Sequence, residues 1–406
     1  MRILFFSDNF PPESNAPATR LFEHAVRWVS AGHQVTVITC APNFPEGRVY
    51  PGYANRWRKV EQMEGIRVVR VKTFIVENKG VLRRTLDYLS FMVCGFVMGI
   101  FERRPDVVVA TSPQFFCALG GWALALVKRR PFVFELRDLW PAEIVAVGVI
   151  RNRLIIRMLE RLELFLYRHA AAVVPVTESF KENLVSRGIE RHKIHVVTNG
   201  VDLNRCVPRP RDNELAHRLG LYGKFVVGYI GTHGLTHALP KVLAAAEQLR
   251  DRRDIGFFFV GAGAERQHVE SIVREHRLNN VSLISRQPKD QMPAFWSLCD
   301  IAIVPLRDEP LFTSVIPSKI FEAMGMGVPV LASLPEGEAT AIVRRTGAGL
   351  CVPPEDSTAI ARTLVQLADQ PALVNRLRDK AQASAILFSR DVLARRMLHI
   401  FQELGG

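Results

Sequence analysis

A lysine and a glutamate one helical turn apart stand in the run Pro317-Ser318-Lys319-Ile320-Phe321-Glu322-Ala323-Met324-Gly325. The proline suits a first helical turn and the glycine a stop, so a short helix is expected over Ser318–Gly325. Its first N–H groups and its dipole present positive charge to an anion, and Lys319 adds a full cation. Glu322 offers a carboxylate that accepts hydrogen bonds from sugar hydroxyls. A phosphate reader and a hydroxyl reader on one turn are the chemistry of a nucleotide-sugar site, with Ser314, Ser318 and Ile320 beside them.

Other segments fit the same chemistry. Gly231-Thr232-His233-Gly234 follows an apolar run, and its glycines permit a tight turn toward a diphosphate. His233 and His237 lack a third ligand and an H-E-x-x-H setting, so no metal is expected. Gly261-Ala262-Gly263-Ala264 repeats the strand–glycine–helix pattern and adds Gly263. Ser285-Arg286-Gln287-Pro288 ends the next strand, where Arg286 and the backbone can meet a base edge; a plain loop is the other reading. In the first half, Glu135-Leu136-Arg137-Asp138 ends a buried strand. Charges there are costly unless paired or functional. Asp138, with Arg137, reads as a hydroxyl acceptor or proton-handling group, or else as part of an Arg137–Asp138–Glu143 structural network. The loop from Phe10 brings Asn15, Ala16 and Arg20 to a helix start, with Arg20 suited to a phosphate. No G-x-G-x-x-G, Walker, nucleophile-elbow or D-x-D motif occurs, so neither a dinucleotide nor a divalent metal is implied and no cofactor is expected.

The elements that must position these residues are short apolar strands alternating with helices, the pattern of parallel sheets covered on both faces. Strands are expected at 2–7, 34–39, 66–73, 106–111, 132–136, 172–177 and 193–198. After a linker-like stretch at 207–213 they resume at 225–230, 256–260, 281–285, 301–305, 328–332 and 349–352. This predicts an α/β chain of two Rossmann-like doubly wound domains, 1–203 and 210–387, with 388–406 free to cross back to the first. The site would lie in the cleft between them.

A chain of 406 residues is comfortable for two such cores, and 48% hydrophobic with 23% charged residues describes an ordinary folded protein. Six scattered cysteines fit a reducing cytoplasm. The apolar N-terminal run is too short for a signal peptide. A net charge of +13 calls for phosphates or an anionic membrane; no signature of a nucleic-acid binder is present. The stretch Leu89–Phe101 is apolar all round yet shorter than the ~20 residues that span a bilayer. It reads as a core helix, or, with Arg83-Arg84 and Arg103-Arg104 flanking it, as a helix seated in a membrane interface, as does the cationic amphipathic stretch Arg151–His169.

The succession Phe10-Pro11-Pro12-Glu13, Gly32-His33-Gln34-Val35-Thr36-Val37-Ile38-Thr39, Asn199-Gly200-Val201-Asp202 and Ser318-Lys319-Ile320-Phe321-Glu322-Ala323-Met324 resembles glycosyltransferase family 4 across the chain. Ala41-Pro42-Asn43-Phe44-Pro45 and Glu135–Pro141 resemble its bacterial O-antigen and capsule branch, in particular N-acetylfucosaminyl transferases of the WbuB type. The resemblance implies a GT-B fold with an acceptor-binding first domain and a donor-binding second. It further implies metal-independent, retaining transfer from a nucleoside-diphosphate sugar, a UDP-sugar such as UDP-N-acetyl-L-fucosamine, to a polyprenyl-diphosphate-linked saccharide. The enzyme would be cytoplasmic, on the inner face of the cell membrane. The family's second motif glutamate, a ribose ligand, falls on Glu322; its first falls on Ser314, with Glu309 nearby. Its diphosphate-clamping cations are missing around Gly231–Gly234, which leaves Lys319 for that charge. Where many members have His-Asp, this chain has Arg137-Asp138. A non-catalytic nucleotide-sugar-binding protein of the same fold is the competing class.

Overall fold

The computed structural model describes residues 1–44, 46–76, 81–112, 114–139, 141 and 152–405, so Trp140 and Glu143, and with Glu143 the three-residue network, lie outside the described residues. The chain divides into two compact units, Met1–Thr198 with Asp391–Gly406, and Asn199–Arg390.

The first unit is built on β1 (Arg2–Phe6), β2 (Gln34–Cys40), β3 (Arg58–Met63), β4 (Ile66–Val71), β5 (Val107–Thr111), β6 (Phe132–Leu136) and β7 (Ala172–Pro175). Their order is β3-β4-β2-β1-β5-β6-β7, parallel except for the β3–β4 hairpin. Its helices are α1 (Ala16–Ser30), α2 (Val81–Ile100), α3 (Phe115–Lys128), α4 (Arg153–His169) and α5 (Glu178–Ser186). Alternation along β1 sends Ile3 and Phe5 into one core, and Leu4 and Phe6 into another on the opposite face. On the first face the closing helix packs against α1: the Trp28 indole N–H donates to the Ala394 carbonyl at 2.9 Å, and Arg27 pairs with Asp391 at 2.9 Å.

On the second face α2 and α3 come close because glycines remove side chains where the layers meet. A Cβ at Gly95 would stand 2.4 Å from the Phe6 ring, and one at Gly121 2.6 Å from the Ala110 Cβ. The other side of α2 exposes Leu86, Val93, Val97 and Ile100. The all-round apolar helix of the sequence is therefore two-sided, a glycine face in the core and an aliphatic stripe outside. Among the described residues no helix is long and apolar enough to cross a membrane.

The second unit carries β8 (Phe225–Ile230), β9 (Ile255–Val260), β10 (Val281–Ile284), β11 (Ile301–Pro305), β12 (Val330–Ser333) and β13 (Gly349–Val352), all parallel in the order β10-β9-β8-β11-β12-β13. Its helices are α6 (Asn213–Arg218), α7 (Leu239–Gln248), α8 (Arg266–Glu275), α9 (Met292–Leu298), α10 (Ser318–Gly325), α11 (Glu338–Thr346), α12 (Ser357–Asp369) and α13 (Pro371–Ala385); α14 (Arg390–Gly405) leads back into the first unit.

Three expectations need correction. The strand expected at 193–198 makes one isolated bridge, Val173 to Ile194, after a short 3₁₀ turn. The linker read at 207–213 already contains the start of α6, capped by the Asp212 carboxylate on the Leu215 N–H. The antiparallel edge strand β3 and the helices α11 and α13 had no counterpart in the sequence reading.

Gly95→Val is expected to destabilise the chain by about 1–3 kcal/mol, because the new methyls have no space against Phe6. Urea unfolding measures it, and an unchanged midpoint would show that the layers are not packed this closely.

Candidate active site

In the second unit the loops leaving β8 and β9 run backbone against backbone. A Cβ at Gly261 would lie 1.9 Å from the Gly231 carbonyl oxygen, and one at Gly263 2.4 Å from that of His233. Only glycine lets the two loops approach so closely. They are laced together by the Gly231 N–H to Val260 (2.9 Å), the His233 N–H to Ala262 (3.0 Å) and the Glu265 N–H to His233 (2.9 Å), each to the carbonyl. A third loop joins when the Arg307 N–H donates to the Thr236 carbonyl at 3.0 Å. Gly263, expected at the donor, thus serves the approach of His233.

Lys319 closes this nest. Its Nζ donates to the Tyr229 hydroxyl at 3.0 Å, lies 4.2 Å above that ring, and sits where a Gly231 side chain would be. The Tyr229 hydroxyl in turn donates to the Thr232 carbonyl. Burial pushes the Lys319 ammonium down to about 7, against the pull of Glu322. No carboxylate among the described residues lies within ion-pairing distance of it. His233 is fully buried, and neither of its ring nitrogens has a hydrogen-bond partner among the described residues. Burial, then Arg266 and Lys319, lowers it to about 4; burial and Lys319 lower His237 to about 3. Both rings are neutral at pH 7, leaving Lys319 as the titrating cation of this group.

The start of α10 faces outward as a short helix whose N-cap, Pro317, offers no side-chain hydrogen bond. Ser318 is exposed, whereas the Ile320 side chain belongs to the core and its N–H is taken by the Pro317 carbonyl at 3.1 Å. Ile320 is therefore an anchor of the helix. Glu322 is half-buried and adds to the burial that drives the Cys206 thiol up to about 12. Ser314 ends a 3₁₀ turn with its Oγ donating to the Leu311 carbonyl at 3.2 Å, Glu309 is exposed, and Arg286 is exposed beyond the edge strand β10. Thr232, His233, Gly234, Gly263 and Lys319 are thus gathered in one place; Arg286 stands apart. Tyr229 and His237 complete the group. An aromatic hydroxyl at the carboxyl end of the aliphatic strand β8 was the signal for Tyr229.

In the first unit the Arg20 expectation fails. Its side chain is buried, with Nε on Glu135 at 2.8 Å and the other nitrogens on the carbonyls of Val197 (2.8 Å) and Thr198 (2.5 Å). Burial pushes the Glu135 carboxyl up, but Arg20 and Arg137 more than offset it and hold it below the usual range. Arg20 is a brace, and it diverts carbonyls that a strand at 193–198 would have used in a ladder. Asn15 caps α1 through its Oδ1 on the Ala18 N–H at 2.9 Å and donates to Asn9; Ala16 is exposed as the first helical residue. Just past β6, the Arg137 and Asp138 N–H groups both donate to Ser112 Oγ, at 2.7 and 3.3 Å. Burial raises the Asp138 carboxyl against the pull of Arg137.

The chain thus has two α/β units of mainly parallel sheet, the second with glycine-lined loops at its strand ends and a lysine beside a helix start. Residues 15–200 match the model of the "Glycosyl transferase 4-like domain", and residues 218–370 that of "Glycosyl transferases group 1". The chain belongs to the glycosyltransferases and has the GT-B fold. It is 25% identical over 377 residues to a chain of Escherichia coli (strain K12) named as a colanic acid biosynthesis glycosyl transferase, WcaI, covering 90% of this chain and 92% of that one. A GDP-mannose-dependent alpha-mannosyltransferase of Mycolicibacterium smegmatis is 26% identical, with 100% and 96% covered. Among solved structures, Anabaena Alr3699/HepE in complex with UDP superposes with a TM-score of 0.74 at 18% identity, covering 100% of both chains.

Lys319→Met is expected to stabilise the fold by about 1–3 kcal/mol at pH 7, since it removes a buried polar group with little compensation. The native lysine titrates near 7 folded and higher unfolded, so the unfolded chain binds more protons above pH 7 and native stability rises with pH. The advantage of methionine should therefore shrink as pH rises. Thermal unfolding of both forms across that range tests it; a methionine form less stable at pH 7 would refute the unpaired burial.

Proposed function

We propose that the chain transfers a sugar from a nucleoside-diphosphate donor, a UDP-sugar, to a polyprenyl-diphosphate-linked saccharide in surface polysaccharide assembly. Transfer retains anomeric configuration and uses no metal. The observation that carries this reading is the buried Lys319 ammonium, with no carboxylate among the described residues in ion-pairing distance, beside the Gly231–Gly234 loop and the start of α10. Such a group is disposed to receive a diphosphate. The naming of WcaI for colanic acid biosynthesis and the UDP held by HepE on the same fold support the assignment. The motif resemblance points to an N-acetylated deoxy sugar such as N-acetyl-L-fucosamine.

The roles follow. Lys319, the helix start and the Thr232–Gly234 backbone stabilise the departing diphosphate, and Glu322 takes the ribose. The acceptor oxygen bonds to the anomeric carbon on the leaving-group face as the carbon–phosphate-oxygen bond breaks, and the hydroxyl proton passes to the departing diphosphate. No strong enzymic nucleophile is needed. Asp138, anchored with Arg137 on Ser112, is assigned to an acceptor hydroxyl.

Calorimetry is expected to give UDP binding that weakens as pH rises above 7, because a neutral Lys319 must first take up a proton. Lys319→Ala should weaken UDP by about tenfold or more, remove that pH dependence and lower turnover by about 100-fold or more. Near-normal kinetics in the variant would sink the diphosphate role, and preference for GDP would move the donor class. Absence of UDP release with lipid-linked acceptors would favour a binding protein.

We also propose peripheral contact with an anionic membrane face. The stripe of α2, Leu126 and Val127 of α3, and Leu154, Ile155 and Met158 of α4 are exposed apolar groups, with Arg83, Arg84, Arg103, Arg104, Arg153 and Arg157 on or beside the same helices. Apolar side chains flanked by arginines suit the headgroup boundary. The chain should sediment with phosphatidylglycerol vesicles and not with phosphatidylcholine vesicles, and Val93→Glu with Val97→Glu should cut binding by about tenfold. Equal recovery with both vesicles would overturn the contact.

A further inference from the structure

The amino edge of the first sheet, opposite the strand ends that carry Asp138, holds a cavity of about 520 Å³. Cavities of about 300–1,000 Å³ are the size that takes a small organic ligand. Its walls come from the starts of β1 and β2, the β3–β4 turn and the segment that follows α2. Arg2, His33, Arg67, Phe101, Glu102 and Arg103 supply its chemistry.

Most cations of this edge are already matched. The Glu102 side chain is buried and takes Arg58 Nη2 at 2.8 Å and Arg67 Nε at 2.9 Å. Burial pushes that carboxyl up, but hydrogen bonds from Arg67 and Arg58 more than offset it and hold it below the usual range. Lys128 donates to the Ile100 and Glu102 carbonyls at 2.7 and 2.6 Å, and Arg104 to the Lys128 and Arg129 carbonyls at 3.1 and 3.5 Å. Those two cations close the carbonyl ends of α2 and α3. Arg2 and Arg103 differ. Both are exposed, both line the cavity, and neither guanidinium has a hydrogen-bond or ion-pair partner among the described residues. Asp106 accepts the Arg2 backbone N–H at 2.6 Å, not its guanidinium. The lining therefore carries one carboxylate, satisfied by Arg67 together with Arg58, and two guanidiniums in surplus. Since α1 and α2 end at this edge, their dipoles present negative partial charge, and an anion must be held by side chains. Guanidinium forks match phosphate oxygens, and the Phe101 ring, 74% exposed, offers an apolar face in the same cavity.

We propose that this cavity is a binding site for an organic phosphate monoester, with Arg2 and Arg103 on the phosphate and Phe101 against the carbon skeleton. A monoester carries about −1.5 to −2 charges at neutral pH and three free oxygens, which two surplus guanidiniums balance. A diester has a single charge and leaves one guanidinium unmatched. The site belongs to the first unit alone, at the edge away from Asp138, and does not rest on the transferase reading. Two sources share this chemistry: a soluble sugar or glycerol phosphate, and the headgroup of phosphatidic acid, since the exposed Val97 and Ile100 of α2 lead to Phe101.

Calorimetry on the full chain with glycerol 3-phosphate and the diester dimethyl phosphate tests the site. Glycerol 3-phosphate should bind, and dimethyl phosphate should bind about tenfold more weakly or worse. Arg2→Gln combined with Arg103→Gln should weaken glycerol 3-phosphate by about tenfold or more. Lys319→Ala should leave that binding within about twofold, which separates it from any phosphate held in the second unit. The unfolding midpoint of the double variant should stay native, which excludes loss of fold. Flotation with phosphatidylcholine vesicles containing either phosphatidic acid or phosphatidylglycerol, matched in charge, assigns the source. A preference for phosphatidic acid that the double variant loses identifies the headgroup; equal recovery with both, alongside glycerol 3-phosphate binding, identifies a soluble phosphate. The site is overturned if glycerol 3-phosphate does not bind and phosphatidic acid is not preferred, if the double variant behaves as the native chain in both measurements, or if Lys319→Ala abolishes the binding.

Discussion

The second unit depends on keeping an ammonium out of water with no carboxylate among the described residues close enough to pair. A lysine so placed costs stability, and its surroundings show how the cost is contained. Tyr229 supplies a hydroxyl acceptor and the face of its ring, and burial lets Lys319 shed its proton near neutrality. The hydroxyl is itself oriented by the Thr232 carbonyl, so the loop after β8 and the lysine of α10 fix one another. Position comes from the backbone: glycines at 261 and 263 let two loops touch where any side chain would hold them apart, and Gly231 leaves the room that Lys319 fills. The core then anchors α10 through Ile320 and Phe321, which leaves the lysine little freedom to leave the nest.

This arrangement explains which features were legible in the sequence. Parallel strands covered on both faces are unbroken apolar runs, so β5, β6 and β9 announce themselves. The strand β3, Arg-Lys-Val-Glu-Gln-Met, has one side open to solvent and reads as a polar loop. The segment at 193–198 has strand composition, but composition cannot show that a distant arginine claims two of its carbonyls. Arg20 misleads for the same reason. An arginine next to a helix start has the sequence context of a phosphate ligand, while its partner Glu135 lies far along the chain. Ile320 and Gly263 were legible as members of the donor region, though their work there is packing and backbone approach.

The helix α2 shows a second kind of ambiguity. Glycines in an apolar stretch fit a core helix, and flanking arginines fit an interfacial one; periodicity alone does not choose. The folded unit gives each residue set its own side. Gly95 and Gly99 admit Phe6, Ile38 and Leu124, while Leu86, Val93, Val97 and Ile100 face out. Glycine thus provides tight layering in the first unit and close loop approach in the second, two uses of one missing Cβ.

The two units also divide their electrostatics. The carboxyl edge of the second sheet presents a cation made neutralisable by burial, suited to a group whose negative charge grows as it departs. At the carboxyl edge of the first, burial raises the Asp8 and Asp87 carboxyls, against the pull of Arg84 on both. A chain with 53 basic and 40 acidic residues overall still concentrates raised carboxyls around the end of one strand, Asp8 and Glu13 following it and Asp87 reaching over it. Net charge therefore says little about the first unit's edge. Arg70, which donates to the Pro11 carbonyl, and Arg84 of α2 act on these same carboxyls, so that edge carries both signs.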